Sequence, residues 1–371
     1  MSERAKRLLG VLAVLGLLYL FLVSIGMVGA AFKLAGKGLA KEIFGFASNP
    51  LTGLFIGIFA TSLVQSSSTT TSIVVGLVAG GMPVNTAIPI IMGANIGTSV
   101  TNTLVSLGHI SRTNEFERAF AASTVHDFFN LLSVIVLFPL QYFTGFLGHL
   151  AHGLAGVVTG GSDLQFHSPL KAVVKPAVHL LVNLVGGLTG VKLLHAGLVV
   201  LLAGVLLFIS LKYMTAILRG LVMERASGFF ERTIFRNTLT AFVVGILLTI
   251  GVQSSSITTS VIVPLAGAGL LTLEQIYPYT LGANVGTTVT AILASLAVPE
   301  HFTAAVTTAF SHLLFNVCGI IAINILPPVR RLPLRLARTL ASQAARRKWV
   351  PVLYILVVFF LIPLSLIFAT R

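Results

Sequence analysis

The chain has 371 residues, 56% hydrophobic and 9% charged, with 24 Lys and Arg against 10 Asp and Glu and a formal charge of +14. A soluble domain carries about 25% charged residues, so this composition excludes an ordinary soluble globular fold and indicates a membrane protein built from apolar helices. Such a charge in a soluble chain would suggest nucleic acid; here it belongs in cytoplasmic loops beside a lipid bilayer, and no nucleic-acid partner is expected.

From the N-terminus, residues 8–32 form an apolar run behind Arg4, Lys6 and Arg7. The run is long and lacks a small-residue cleavage site, so it reads as a retained helix running from inside to outside rather than a signal peptide. Residues 33–49 read as an outside link, with 1–45 as an N-terminal unit. Residues 49–81 are too polar in the middle for a plain span. They read as an apolar arm (51–64), a serine run and a second arm (73–78). Such a re-entrant hairpin is tolerated only where it is buried in protein or lines a wet cavity. Residues 83–107 follow, interrupted at 93–98, then a charged link (112–118) and a helix over 119–140; together 46–141 form a first repeat.

Residues 142–175 contain Gly160, Gly161, Ser162, Asp163 and three histidines, His149, His152 and His167, and read as an extracellular central linker. Within 142–227 the clearest scaffold helix is 196–211. A second repeat, 228–329, takes in 238–271, 279–296 and 303–326. The remainder, 330–371, reads as a basic cytoplasmic loop (Arg330, Arg331, Arg335, Arg338, Arg346, Arg347, Lys348) and a helix over 350–368. The link before the second repeat, 212–236, is rich in arginine and is placed inside, so the two repeats are predicted to be inverted in the bilayer. Lys33, Lys37 and Lys41 run against the positive-inside rule for the first link. Cys318 is the sole cysteine, so an intrachain disulfide is excluded.

Two motifs occur twice in the same order, and their intervals agree to one residue. Gln65-Ser66-Ser67-Ser68-Thr69-Thr70-Thr71-Ser72 returns as Gln253-Ser254-Ser255-Ser256-Ile257-Thr258-Thr259-Ser260, and Gly93-Ala94-Asn95-Ile96-Gly97-Thr98 as Gly282-Ala283-Asn284-Val285-Gly286-Thr287. Hydroxyls and amides are costly in hydrocarbon unless satisfied, so a duplicated stretch of them reads as two halves of one site. Half-helix N-termini offer free N–H groups and a positive dipole end to an anion. Hydroxyl hydrogens add donors, and hydroxyl lone pairs can ligate a small hard cation. A single serine run more often bonds only to its own helix; two runs at matching positions are hard to explain that way. The Gly-Ala-Asn motif either lines the site with Asn95 and Asn284 or makes a tight crossing of small residues, and the asparagine favours lining.

Asp127 is the only acid in 119–140, and its counterpart in the second repeat is Leu313. An ionisable group in a span is a functional candidate, here a cation site belonging to one repeat; the plainer alternative is an ion pair with Arg112 or Arg118. His126 and His312 read as buried histidines bonding a nearby carbonyl rather than as a proton relay. Asn130 and Asn316 lie one turn further along. The motifs contain no metal cluster, nucleotide loop or nucleophile–base pairing, so neither an enzyme nor a cofactor is expected.

At these residues the chain resembles the type II sodium-dependent phosphate cotransporter family. The likeness rests on the duplicated Gln-Ser-Ser-Ser, on Gly-Ala-Asn-Ile-Gly-Thr-Ser-Val-Thr-Asn-Thr from Gly93 to Thr103, and on Thr-Val-His-Asp-Phe-Phe-Asn ending at Asn130; it spans about residues 45–140 and 235–330. It implies an all-α polytopic membrane protein with two inverted-topology repeats, re-entrant hairpins and broken helices. The implied activity is sodium-coupled import of divalent phosphate by alternating access, in a homodimer of the inner cell membrane, with sodium as co-substrate. Phosphate then falls to Gln65, Ser66, Ser67, Ser68, Gln253, Ser254, Ser255, Ser256, Asn95 and Asn284, with Arg112 or Arg118 adding charge. Sodium falls to Asp127, Ser123, Asn130, Thr70, Thr258, Gln65, Gln253, Thr98 and Thr287. In the family the position of Asp127 is associated with an additional sodium and charge-moving transport. The Ala-x-Ala-x-x-x-Asp pattern of electrogenic members stands here as Ala121-x-Ser123-x-x-x-Asp127. Short termini and the absence of a long disulfide-bearing central loop resemble bacterial rather than animal members, and one helix after the basic loop places the C-terminus outside. The competing expectations are a sodium-coupled carrier of sulfate or arsenate, and a passive anion channel, which would need no coupling acid.

Overall fold

The computed structural model describes residues 3–159, 169–226, 235, 237–298, 301–325 and 327–370, and the regular elements among them are helices. Among the described residues six segments are long and apolar enough to cross a membrane, by length and composition, including Leu8–Ala35, Thr113–Thr144 and Val350–Ala369.

Helix α1 (Glu3–Phe46) runs through the link expected at 33–49. That stretch contains no proline, and its three alanines, three lysines and two leucines carry the helix past three glycines. Asn49 caps α2 (Pro50–Val64), its side chain accepting from the Leu51 N–H at 3.0 Å, with proline in the first turn. Gln65 ends α2 in the left-handed region at φ 61°, and Ser66 at once caps α3 (Ser67–Ala79). Then come α4 (Val84–Gly97) and α5 (Val100–Leu107), separated by a break at Thr98–Ser99, and α6 (Thr113–Thr144). The expected interruption at 93–98 is thus narrower and later, and the expected link 112–118 is largely the first turns of α6.

The stretch read as a central linker holds α7 (Phe146–Thr159) and the start of α8 (Pro169–Gly186). Leu147, Ala151 and Ala155, four apart, are buried on one face of α7, which packs on α13 (Phe302–Asn324). The glycines, Asp163 and His167 of that reading lie outside the described residues. Likewise α9 (Lys192–Ala226) carries helix into the link expected at 212–236. The second copy follows as α10 (Thr238–Val252), α11 (Ser255–Gly267) and α12 (Leu273–Leu296), which opens on a Thr272–Gln275 capping box. After α13 and the short α14 (Pro327–Arg330), the expected basic loop is an amphipathic helix, α15 (Leu332–Arg346). Its buried Ala337, Ala341, Ala344 and Ala345 pack on α6 while its arginines sit on the other face. The chain closes in α16 (Val350–Ala369), which contains a π-helical turn at Val357–Leu361.

The glycines of both motifs are packing residues. In the first copy α2 and α4 cross backbone to backbone: a Cβ on Gly93 would overlap the Leu54 carbonyl, one on Gly57 the Ile90 carbonyl, and one on Gly97 would lie 2.6 Å from the Ile58 carbonyl. The second copy repeats this between α10 and α12 with Gly282 on Phe242, Gly245 on Tyr279 and Gly286 on Ile246. The two copies then interlock: α3 packs on α12 and α13, and α11 packs on α5 and α6. Helices α1, α8 and α9 form an apolar flank around Phe21, Ile25, Val178, Val199 and Leu207.

Replacing Gly93 or Gly282 with alanine forces the crossing helices apart and should lower stability by about 1–3 kcal/mol. Gly16→Ala in α1, where a Cβ meets nothing within 4 Å, should leave stability unchanged or slightly raised. Thermal unfolding of the detergent-solubilised protein checks both, and equal behaviour of Gly93→Ala and Gly16→Ala would contradict the crossing.

Candidate functional site

The interior where the copies meet is polar inside an apolar exterior. Each Gln-Ser break is built the same way. Gln65 sits left-handed, its Nε2 donates to the Ser62 carbonyl at 2.6 Å, and its Oε1 accepts from the Thr101 hydroxyl at 2.8 Å. Gln253 does the same with the Ile250 carbonyl at 2.6 Å and Thr290 at 2.9 Å. The glutamines thus pin the end of one helix so that the next can start. Ser66 and Ser254 then cap that next helix, their hydroxyls accepting from the backbone N–H of Thr69 at 3.2 Å and of Ile257 at 3.4 Å. A helix start leaves its first N–H groups without intrahelical partners, and here these belong to Ser67, Ser68, Ser255 and Ser256.

The threonines behave as the plainer reading expects. Thr70, Thr71 and Thr259 donate to carbonyls one turn back at 3.2, 2.9 and 2.7 Å, and Thr258 does so to Ser254 at 3.1 Å. Thr259 Oγ1 also accepts from Asn102 Nδ2 at 2.7 Å, and Thr258 Oγ1 lies 2.9 Å from Thr249 Oγ1. The serines differ. Ser67 and Ser255 are buried to 4% exposure, and neither hydroxyl is spent on its own helix. Ser68 Oγ reaches across to Thr287 Oγ1 at 3.3 Å and, at 3.5 Å, to the Gln253 carbonyl of the other break. The two breaks therefore touch.

Beneath them the asparagines are bound to one another. Asn130 donates to the Asn95 carbonyl at 2.9 Å and accepts from Asn284 at 2.8 Å. Asn316 Nδ2 and His312 Nε2 both lie 3.3 Å from Asn95 Oδ1, and Asn95 itself donates to Ile91 at 2.9 Å. A second tie runs from Asn102 to Thr259 at 2.7 Å and from Ser260 to Asn102 at 2.9 Å. The motif asparagines thus lock the two copies together, a use that spacing alone did not reveal.

Asp127, 3% exposed, faces the break between α4 and α5. Its Oδ2 accepts from the Tyr354 hydroxyl at 3.1 Å, while its Oδ1 makes no hydrogen bond although His126 Nδ1 lies 3.1 Å away. That nitrogen is also 3.2 Å from the Ser123 carbonyl, and Ser99 Oγ lies 3.3 Å from His126 Nε2 and beside the carboxylate. Of the predicted neighbours, Ser123 turns its hydroxyl to Phe120 at 2.9 Å, and Thr98 bonds Ala94 at 3.0 Å. Asn130 belongs to the asparagine knot. Arg112 pairs with Glu115 at 3.0 Å and is 74% exposed; Arg118 closes the end of α11 through the Gly267 carbonyl at 2.6 and 2.9 Å. Neither arginine pairs with Asp127, so the ion-pair alternative does not hold, and neither is brought to the serine breaks.

Ser99 and Tyr354 were missed. Ser99 ends the Gly-Ala-Asn-Ile-Gly-Thr-Ser run and was within reach of the motif; Tyr354 comes from the last helix, with no local signal.

A helical membrane-type protein with a buried, two-copy polar interior is the class that these features define. The Na+/Pi-cotransporter family model matches residues 20–161 and 206–325, and the chain belongs to that family. It is 39% identical to sodium-dependent phosphate transport protein 2A of Mus musculus, across 99% of this chain and 68% of that protein. It is 34% identical to sodium-dependent phosphate transport protein 2B of Homo sapiens, across 95% and 64%. No solved structure matches the chain.

Asn130→Leu leaves the Asn284 amide and the Asn95 carbonyl buried without partners, and should destabilise the protein by at least about 2 kcal/mol. Asn324, whose amide bonds only the Ile320 carbonyl in its own helix at 2.8 Å, provides the comparison. If Asn324→Leu lowers the unfolding temperature as much, the knot does not tie the copies.

Proposed function

We propose that this chain imports inorganic phosphate, driven by sodium, with both Gln-Ser breaks contributing to a single binding site. The observation that carries this reading is the contact between the breaks, Ser68 to Gln253 and Thr287, with the Ser67 and Ser255 hydroxyls free at adjacent helix starts. Phosphate is held by hydroxyls and N–H groups of Ser66, Ser67, Ser68, Ser254, Ser255 and Ser256. The lone pairs of Thr70, Thr258, Thr98 and Thr287 serve sodium, and Asp127 serves a further sodium in the first copy. Gln65, Gln253, Asn95, Asn284 and Asn130 frame the site in this reading, and Arg112 and Arg118 stand outside it.

Coupling follows from charge. Phosphate near neutral pH carries close to two negative charges, and the serine runs contain no basic residue. Transferring such a charge into a low-dielectric interior is very costly without a counter-charge, so sodium must enter with it. The names of the relatives, sodium-dependent phosphate transport proteins, support the same pairing. The two copies are inverted in the bilayer in this reading, so that the site opens alternately to either side. Charge-moving transport, a homodimer and the inner membrane of a bacterium complete the proposal, and rest on the resemblance and on Ala121-x-Ser123-x-x-x-Asp127.

Proteoliposomes measure this directly. Labelled phosphate should accumulate under an inward sodium gradient and stay outside when choline replaces sodium. Unlabelled sulfate should not compete. Ser67→Ala and Ser255→Ala should each cut uptake about tenfold or more, since each removes a donor to a charged ligand. Accumulation that persists without sodium would rule the coupling out.

A further inference from the structure

Tyr354 lies outside both motif copies and outside the residues 20–161 and 206–325 that match the family model, yet it touches the one acid buried beside the site. Its hydroxyl donates to Asp127 Oδ2 at 3.1 Å. The ring is held edge-on by Phe120 at 6.4 Å, on the same helix as Asp127, and by Phe359 at 5.6 Å, within the π-helical turn of α16. Just before it in the chain, α15 packs on α6 through Ala341, Ala344 and Ala345 against Phe116, Phe120 and Ala121. The phenol is thereby fixed relative to α6 from two sides.

A carboxylate has two oxygens, and here they are not equivalent. One is engaged by the phenol; the other, Oδ1, is buried without a hydrogen bond, with His126 Nδ1 3.1 Å away and Ser99 beside the carboxylate. Among the described residues no Lys or Arg pairs with Asp127. A buried charge in that state calls for a counter-charge. Without the phenol the carboxylate could rotate about its Cβ–Cγ bond, since that torsion is broad, and Oδ1 would lose its fixed orientation.

We propose that Tyr354 is a positioning residue for the Asp127 cation, holding one carboxylate oxygen so that the other is presented to sodium. This rests on the reading of Asp127 as a sodium ligand. The C-terminal segment is therefore part of the coupling apparatus, contributing a side chain to a site otherwise made by the first motif copy. A fixed donor on Oδ2 also lowers the entropy lost when the ion binds, because the carboxylate is already oriented.

Thermal unfolding of purified protein, titrated with sodium chloride against choline chloride in the absence of phosphate, tests this without relying on transport. In the unmodified protein sodium raises the unfolding temperature by mass action. Tyr354→Phe keeps the ring and its packing. The rise should begin at about tenfold higher sodium and then follow the same logarithmic dependence on concentration, tenfold being the low end of what a hydrogen bond to a charged group contributes. Asp127→Asn should reduce the rise across the whole sodium range, and Tyr354→Phe added to Asp127→Asn should change nothing further. If Asp127→Asn alters the sodium response and Tyr354→Phe matches the unmodified protein, the proposal for Tyr354 is overturned while the Asp127 reading survives. If Asp127→Asn leaves the response intact, the Asp127 reading fails and the role of Tyr354 fails with it.

Discussion

Polar groups sealed away from water must find partners, and this constraint organises the interior of the protein. Many of the buried polar side chains near the two motifs meet it internally. The glutamines close the helix ends, the threonines bond their own turns, and the asparagines bond each other across the copies. Among the described residues, Thr61 Oγ1, Ser72 Oγ, His312 Nδ1, Asn316 Oδ1 and Asp127 Oδ1 are buried without a hydrogen bond, and at the two helix starts the Ser67 and Ser255 hydroxyls are not spent on their own helices. An oxyanion and cations are the chemistry that complements this remainder.

The two copies share a frame but not a chemistry. Both use the same glycine crossings and the same left-handed glutamine. They part where the first copy breaks between α4 and α5 while α12 runs on without interruption, and where Asp127 faces Leu313 in the alignment of the copies. Ser99 lies in that break and approaches His126 and Asp127; its counterpart Thr288 bonds its own helix at Val285, 2.7 Å away. A break, a hydroxyl and an acid thus coincide in one copy only. Such an asymmetry fits an ion site added to a symmetric cradle, and it explains how one half of a duplicated architecture can acquire a task the other lacks.

Much of this was legible in the sequence because the decisive signals are local. A Gln-Ser step between apolar arms marked both breaks, since a left-handed residue followed by a serine cap needs no distant partner. The glycines were legible as close approaches, but the hydrogen bonds of the asparagines beside them were not: Asn95 is bonded by Asn130, His312 and Asn316, and Asn284 donates to Asn130. Those partners are far apart in the chain, and no periodicity encodes them. Arg112 and Arg118 misled for the same reason: proximity to Asp127 in sequence is not proximity in space, and each arginine found a nearer acceptor. Charge and glycine lower the hydropathy of 33–46, 146–159 and 332–346, which makes them look like links, yet all three are helical, the last two with one face buried. Tyr354 was out of reach altogether.

In the proposed function both serine breaks hold one oxyanion between them. Counting bound phosphate on the purified protein in saturating sodium tests it most directly. One phosphate per chain, abolished by Ser67→Ala alone and equally by Ser255→Ala alone, is the result expected of a shared site. Two phosphates per chain, each variant removing one and sparing the other, would mean that the breaks bind independently and that their contact is only packing.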